Sequence, residues 1–360
     1  MRTVWRPEDV DASWLTGVLR GAGVVRHAEV RSFDAEPVGT GQMADSVRYR
    51  LRYDDEEPGA PASVVGKFTA ADPSSRATAL AMRTSEVEVR FYQQIAPTVG
   101  VPTPACHFAE VDPSTAEFVL VMSDLAPARQ GDQVAGCSAD EASTALAALA
   151  ALHAPRWADP SLRSVEWLAR RTEDSNALAE QLLPVLFAGF VERYGDRLGP
   201  DAVAVGQGLM DNLGRYLREQ PGPDTVQHGD FRLDNLLFAD GSAPGVTVVD
   251  WQTAVLGPAL ADASYFLGAG LSGEARRANE RALLREYHDR LCAMGVRGYG
   301  WADCLTDYRR YAYAGYLMAV GASMMVERTE RGDDMFMAMA GRHAEQVRDL
   351  DAEQILVGSR

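Results

Sequence analysis

The stretch His228-Gly229-Asp230-Phe231-Arg232-Leu233-Asp234-Asn235 lies between two short apolar runs, Thr225-Val226 before it and Leu236-Leu237-Phe238 after it. A Gly/Pro-containing turn follows, and then a second apolar run that ends at Val248-Val249-Asp250-Trp251. Short β-prone runs around a polar loop and a turn predict a hairpin. Asp230, Asn235 and Asp250 then stand where apolar strands end, three oxygen-bearing side chains close together in the chain.

Outward from this hairpin, the flanking sequence is helical in texture. Apolar residues recur at helical spacing over 140–154, 175–194, 202–217, 273–295 and 303–326, so the second half of the chain is predicted to be mostly α. The alanines near residue 147 fit close helix packing. The first half reads differently. After an amphipathic opening helix over 8–23, β-prone runs at 28–38, 46–53 and 63–70 are separated by glycines and a polar turn, which predicts three antiparallel strands. A helix over about 77–95, ending before Pro97, precedes a strand pair at 105–111 and 116–122 joined by a turn at Asp112-Pro113-Ser114-Thr115. The expectation is an α+β chain with a sheet-bearing lobe over 1–122 and a mainly helical lobe over 123–360, with a hinge near 122–126.

Composition narrows the function. At 360 residues, with 46% hydrophobic residues, the chain has material for a large core. A formal charge of −16 argues against nucleic-acid binding, which needs a positive face to displace counterions. Cys106, Cys137, Cys292 and Cys304 show no CxxC spacing, so neither a zinc site nor a disulfide framework is implied, and a reducing cytoplasm fits. No apolar run has the length needed to span a bilayer. Oligomeric state is not written in these patterns.

The hairpin residues suit phosphoryl transfer. That reaction asks the protein to orient an attacking hydroxyl and to hold Mg²⁺ against a nucleotide's charge. Magnesium takes oxygen ligands and keeps several waters, so two protein ligands suffice. Upstream, Val38-Gly39-Thr40-Gly41-Gln42 offers a glycine turn whose N–H groups can face phosphates. Val64-Val65-Gly66-Lys67-Phe68 then places Lys67 inside an apolar strand, where an ammonium needs anions beside it. The next helix offers Glu86 and Glu88 as its carboxylate partner. Phe118 to Pro127 passes from strand to loop, where Met122, Ser123 and Leu125 can meet a flat heterocycle, the backbone of the last two supplying hydrogen bonds.

On these motifs the sequence resembles the aminoglycoside phosphotransferase and choline kinase superfamily, and within it the bacterial relatives of the ecdysteroid kinases. The likeness covers most of the chain and implies a bilobal protein-kinase-like fold. It implies a kinase that moves the γ-phosphate of ATP to a hydroxyl of a small molecule. By the resemblance Asp230 is the base, Asn235 and Asp250 hold magnesium, and His228 braces the loop. Gly39, Gly41, Gln42, Lys67, Glu88, Met122, Ser123 and Leu125 then attend the nucleotide. Between the two glutamates the resemblance favours Glu88. Relatives often carry an acidic residue where this chain has Ser123. Asp262 looks like the family aspartate that braces the catalytic loop, or the N-cap of the helix beginning at Ala263. His153 also matches a family pattern, although a satisfied helix-end histidine is the plainer reading.

Two other functions share these features. A protein kinase has the same lysine, glutamate and metal ligands, but would carry DFG where this chain has Asp250-Trp251-Gln252, and an activation segment after it. An inactive kinase-like scaffold would keep the fold without the chemistry, whereas Lys67, Asp230, Asn235 and Asp250 are all present here. The acceptor is expected among the helices over 157–217. Glu166, Glu173, Asp174 and Glu192 lie there as possible contacts for a polyamine, and the ecdysteroid-like resemblance suggests a hydrophobic alcohol or a sugar-bearing metabolite instead.

Overall fold

In the computed structural model, residues 3–39, 44–168, 172–240 and 245–357 are described. The chain divides into two compact units. The first comprises Met1–Thr98, Pro102–Ala128 and Val248–Ala254, and the second Val99–Val101, Arg129–Thr247 and Val255–Arg360. The segment carrying Asp250 is therefore grouped with the first unit, while its neighbours in sequence belong to the second.

The first unit opens with helix α1 (Ala12–Gly21), started by Asp11, whose carboxylate accepts the Trp14 N–H at 2.7 Å. The β-prone runs become strands β1 (Val30–Pro37), β2 (Ala44–Tyr53) and β3 (Ser63–Thr69). Beyond them the predicted single helix is two. Asp72 caps α2 (Pro73–Met82), with Pro73 in its first turn. The backbone then turns at Arg83, in the left-handed region at φ 56°, into α3 (Thr84–Arg90), and a π turn over Phe91–Ile95 follows. Strands β4 (Cys106–Asp112) and β5 (Glu117–Ser123) complete a five-stranded sheet of order β1-β2-β3-β5-β4, antiparallel throughout. Trp14, Leu15, Val18 and Leu19 of α1 share one core with Tyr49, Phe68 and Val121 of the sheet. Residues of this kind alternate along the strands because successive side chains point to opposite faces.

The second unit begins with β6 (Arg129–Gln130) and α4 (Ala139–His153), the latter closed by a capping box between Ser138 and Glu141. Helix α5 (Glu173–Leu198) is followed by α6 (Pro200–Asp211) and α7 (Leu213–Arg218), so the run expected at 202–217 breaks at Asn212. Strands β7 (Asp224–Gln227), β8 (Leu236–Phe238), β9 (Val246–Val248) and β10 (Val255–Pro258) interrupt the helices. β7 pairs with β10, and β8 lies between β6 and β9. Helices α8 (Ala259–Gly270), α9 (Gly273–Ala293), α10 (Trp301–Arg310) and α11 (Ala314–Met325) follow, the last two separated by a 3₁₀ turn at Tyr311–Tyr313.

Two closing helices, α12 (Glu330–Asp349) and α13 (Ala352–Val357), were not expected from the sequence. The buried face of α12, with Met335, Phe336, Met339, Ala340 and Val347, recurs at the spacing of an amphipathic helix, a local signal that the sequence reading passed over. These side chains pack with Phe190, Tyr316 and Val320 in the core of the second unit. Among the described residues, no helix is long and apolar enough to cross a membrane.

Candidate active site

In the first unit, β3 carries Lys67 on the face opposite Phe68. Its Nζ lies 2.9 Å from Glu88 Oε1, 2.7 Å from Glu88 Oε2 and 2.9 Å from Asp250 Oδ1. Burial works against the ammonium, but Asp250 and Glu88 outweigh it and hold Lys67 above the ordinary lysine range. Burial pushes the Glu88 carboxyl up, while Lys67 pulls the other way. Of the two candidate glutamates, Glu88 meets the lysine, whereas Glu86 pairs with Arg83 at 3.0 Å.

Asp250 reaches Lys67 because its segment is clamped to α3. The Trp251 ring stacks on Phe91 at 3.7 Å with the planes 6° apart, and the Trp251 backbone N–H donates to Glu88. Asp250 itself is in the left-handed region, at φ 66° and ψ 63°, a conformation that costs a non-glycine residue energy and is held by its surroundings. Asp250 Oδ2 accepts from Gln252 Nε2 at 3.2 Å. Phe91 was not singled out by sequence reasoning. It was visible only as the apolar residue after Arg90, and nothing local announces a stacking partner so distant in the chain.

Of the glycine turn, Gly39 has φ 80°, a backbone that favours glycine. Gly41 and Gln42 lie outside the described residues. At the end of β5, Met122 is buried. Ser123 spends its N–H on Ala105 O at 2.9 Å, and its Oγ accepts from Ala105 N at 3.0 Å. A ligand at this strand end must therefore find its amide donor elsewhere, as at Leu125, whose own carbonyl accepts from Ala128 N at 2.8 Å. The sequence reading passed over the next residue, Asp124. Its carboxylate takes Arg48 Nε at 2.6 Å, Arg48 Nη2 at 3.0 Å, Ser63 Oγ at 2.6 Å and the Ala126 N–H at 3.1 Å. Burial alone would raise Asp124, but these donors hold it below the usual carboxylate range.

In the second unit, the His228–Asn235 loop joins β7 to β8 and is anchored from α8. Asp262 accepts the His228 N–H at 2.7 Å and the Gly229 N–H at 3.0 Å. It sits inside the first turn of α8, whose N-cap is Pro258, so the capping reading of Asp262 gives way to loop anchoring. The Asp230 N–H donates to His228 Nδ1 at 3.2 Å.

The Asp230 carboxylate is held on both oxygens. Oδ1 accepts from Tyr265 OH at 2.6 Å, and Oδ2 from Arg232 Nε at 2.9 Å and Asn235 Nδ2 at 3.0 Å. Asn235 Nδ2 also donates to Asp230 O at 2.9 Å, which fixes the amide and leaves Oδ1 as its acceptor atom. Arg232 continues to Asp234, and Arg331 of α12 reaches Asp234 Oδ1 at 2.9 Å. Burial pushes Asp234 up, yet Arg331 and Arg232 hold it below its ordinary value. His153 is fully buried between Tyr287 OH at 2.7 Å and Asp262 Oδ2 at 3.4 Å, the satisfied helix-end histidine of the plainer reading.

Comparison with known proteins gives the family and the fold. Residues 46–305, well over half of the chain, match the phosphotransferase enzyme family, to which the chain belongs. Among solved structures, a candidate aminoglycoside phosphotransferase from Ralstonia eutropha superposes with a TM-score of 0.54 at 17% identity, over 94% of this chain and 98% of that one. A microcompartment-associated aminopropanol kinase gives 0.54 at 16%, over 95% and 98%. The GDP complex of an aminoglycoside 2′-phosphotransferase-IIIa mutant gives 0.51 at 13%, over 96% and 98%. At such identities these likenesses describe the fold, an α+β kinase-like one.

Curated relatives match over short stretches. Acyl-CoA dehydrogenase family member 10 of Mus musculus is 49% identical over 41 residues, 11% of this chain and 4% of that protein. Acyl-CoA dehydrogenase family member 11 of Gallus gallus is 37% identical over 60 residues, 16% of this chain and 8% of that one. The chain thus spans under a tenth of the length of the curated relatives it matches.

Proposed function

We propose that this phosphotransferase carries the γ-phosphate of ATP, bound with magnesium, to a hydroxyl of a small molecule. The observation that carries the reading is the Asp230–Asn235 loop, where one carboxylate is fixed on both oxygens and an adjacent amide is fixed through its nitrogen. In this reading Asp230 orients the acceptor hydroxyl and takes its proton. Lys67, kept charged and placed by Glu88 and Asp250, holds the phosphates, with Gly39, Gly41 and Gln42 as the phosphate turn. Met122, Ser123 and Leu125 border the base. The first unit is then the nucleotide-binding part, and the second supplies catalysis and the acceptor site.

The donor set fits magnesium. Asn235 keeps its amide oxygen as an acceptor and Asp250 adds a carboxylate, both hard ligands. Among the described residues, no cluster of three or more His, Cys, Asp or Glu side chains gathers that would hold a metal unaided. Bound there, magnesium neutralises charge on the phosphates.

A small acceptor is favoured over a protein because residues 251–258 alone link Asp250 to α8 and leave no stretch for an activation segment. Of the acidic residues considered for a polyamine, Glu173 is paired with Arg218 at 2.9 Å, which weakens its claim. The names of the structural neighbours point to amino alcohols and antibiotics as acceptor classes to try, beside the hydrophobic alcohols of the ecdysteroid-like resemblance. The alternative, an inactive scaffold, is separated from the enzyme by one assay. Supplied with Mg·ATP and a panel of such alcohols, the protein should consume ATP, and Asp230→Asn should slow turnover by roughly 10²–10⁴-fold. Equal turnover in the variant, or none in the parent with any acceptor, would refute the assignment.

A further inference from the structure

Helix α8 presents two groups to the Asp230 loop from one face, since Asp262 and Tyr265 are three residues apart. Asp262 holds the loop backbone through the His228 and Gly229 amides. Tyr265 reaches the side chain of Asp230 itself, its hydroxyl 2.6 Å from Oδ1. The phenol is 4% exposed, and its ring lies 6.0 Å from that of His343, which is itself fully buried and bonded to Ala312 O at 3.0 Å. Burial, and then the charge of Asp230, keep the phenol far above its ordinary range, so it remains a donor. With Arg232 and Asn235 on Oδ2, Tyr265 completes a three-point hold on the carboxylate. A carboxylate has about four acceptor positions, so one remains, on Oδ1 beside the phenol.

We infer that Tyr265 is a positioning residue for phosphoryl transfer: it fixes the rotation of the Asp230 carboxylate so that the remaining position on Oδ1 receives the acceptor's hydroxyl proton. This rests on the reading of Asp230 as the base. A merely structural tyrosine, satisfied by the nearest carboxylate, would show the same bond, so the test has to read more than stability.

Acceptor-independent hydrolysis of Mg·ATP, with water in place of the alcohol, supplies the rate, and calorimetry supplies Mg·ATP affinity without turnover. Tyr265→Phe removes one oxygen and keeps the ring. Its kcat should fall about tenfold, the worth of one charge-assisted hydrogen bond, with KM for ATP and the calorimetric Kd within about twofold of the parent. In an Asp230→Asn background the same substitution should cost less than about twofold, because the group it positions no longer acts as a base. Should Tyr265→Phe fail to fold, Tyr265→Leu, which likewise removes the donor, is read for the same kcat and KM split. Unchanged kcat in Tyr265→Phe, a parallel loss of affinity, or an equal loss in both backgrounds would overturn the inference. A parent without hydrolysis, or an Asp230→Asn variant as fast as the parent, would instead sink the reading of Asp230, and this inference with it.

Discussion

Replacing Lys67 by methionine keeps an unbranched side chain one atom shorter and removes its charge, which tests chiefly the electrostatic part of the Lys67–Glu88–Asp250 arrangement. At separations of 2.7 and 2.9 Å, each attraction is gross about 6 kcal/mol at an effective dielectric of 20. Much of that is offset by desolvation, so the useful figure is the cost of stranding a buried partner, about 3–5 kcal/mol. The Glu88 side chain is 3% exposed and bears most of the stranding, whereas Asp250 at 27% regains water. The low end, about 3 kcal/mol, is therefore expected for Lys67→Met in urea unfolding at pH 7. Coupling it with Glu88→Leu removes the stranded charge and should recover at least half of the loss. The reasoning is refuted if Lys67→Met costs under about 1 kcal/mol, or if the second substitution deepens the loss.

Arg48→Ala strips two of the four donors from the buried Asp124 carboxylate and should cost about 1–3 kcal/mol in the same unfolding experiment, with Mg·ATP binding weakened in calorimetry because the end of β5 loosens. Glu57 accepts the N–H groups of Ala28, His27 and Arg26, which bring its carboxyl down to about 2 from 4.5. A lowered carboxyl stabilises the fold above its unfolded value and loses that contribution as pH falls from 4.5 towards 2. Glu57→Gln should accordingly flatten the fall of melting temperature across that window and leave its slope near neutrality alone. Asp262→Ala frees the His228 and Gly229 amides and should lower kcat by at least about tenfold, with nucleotide affinity retained in titration.

The alternation of β1 to β3, the strand pair β4–β5 and the helical texture after residue 139 were legible because each is a local pattern. The candidate site residues Asp230, Asn235, Asp250 and Lys67 drew notice for a local reason too, as polar groups in or beside apolar runs. Features that depend on distant partners were not. The break at Arg83 is one backbone rotation, invisible in composition. Tyr265 was not singled out because its hydroxyl meets a carboxylate 35 positions earlier in the chain. Asp124 was overlooked beside Ser123 because its value comes from Arg48 on another strand. Helix α12 was missed although Met335, Phe336, Met339 and Ala340 recur at helical spacing, and with it Arg331, which steadies Asp234.

The first unit is not a continuous length of polypeptide. Its last piece, Val248–Ala254, arrives after more than a hundred residues of the other unit and returns to bond Pro102 O through the Val248 amide at 2.9 Å. A nascent chain cannot finish this unit while the ribosome is still making β8, because the indole that covers Phe91 has yet to be synthesised. Cutting the gene at the apparent boundary near residue 128 would yield a fragment with a bare aromatic face and an acidic helix short of one neighbour, an invitation to aggregate rather than a portable module.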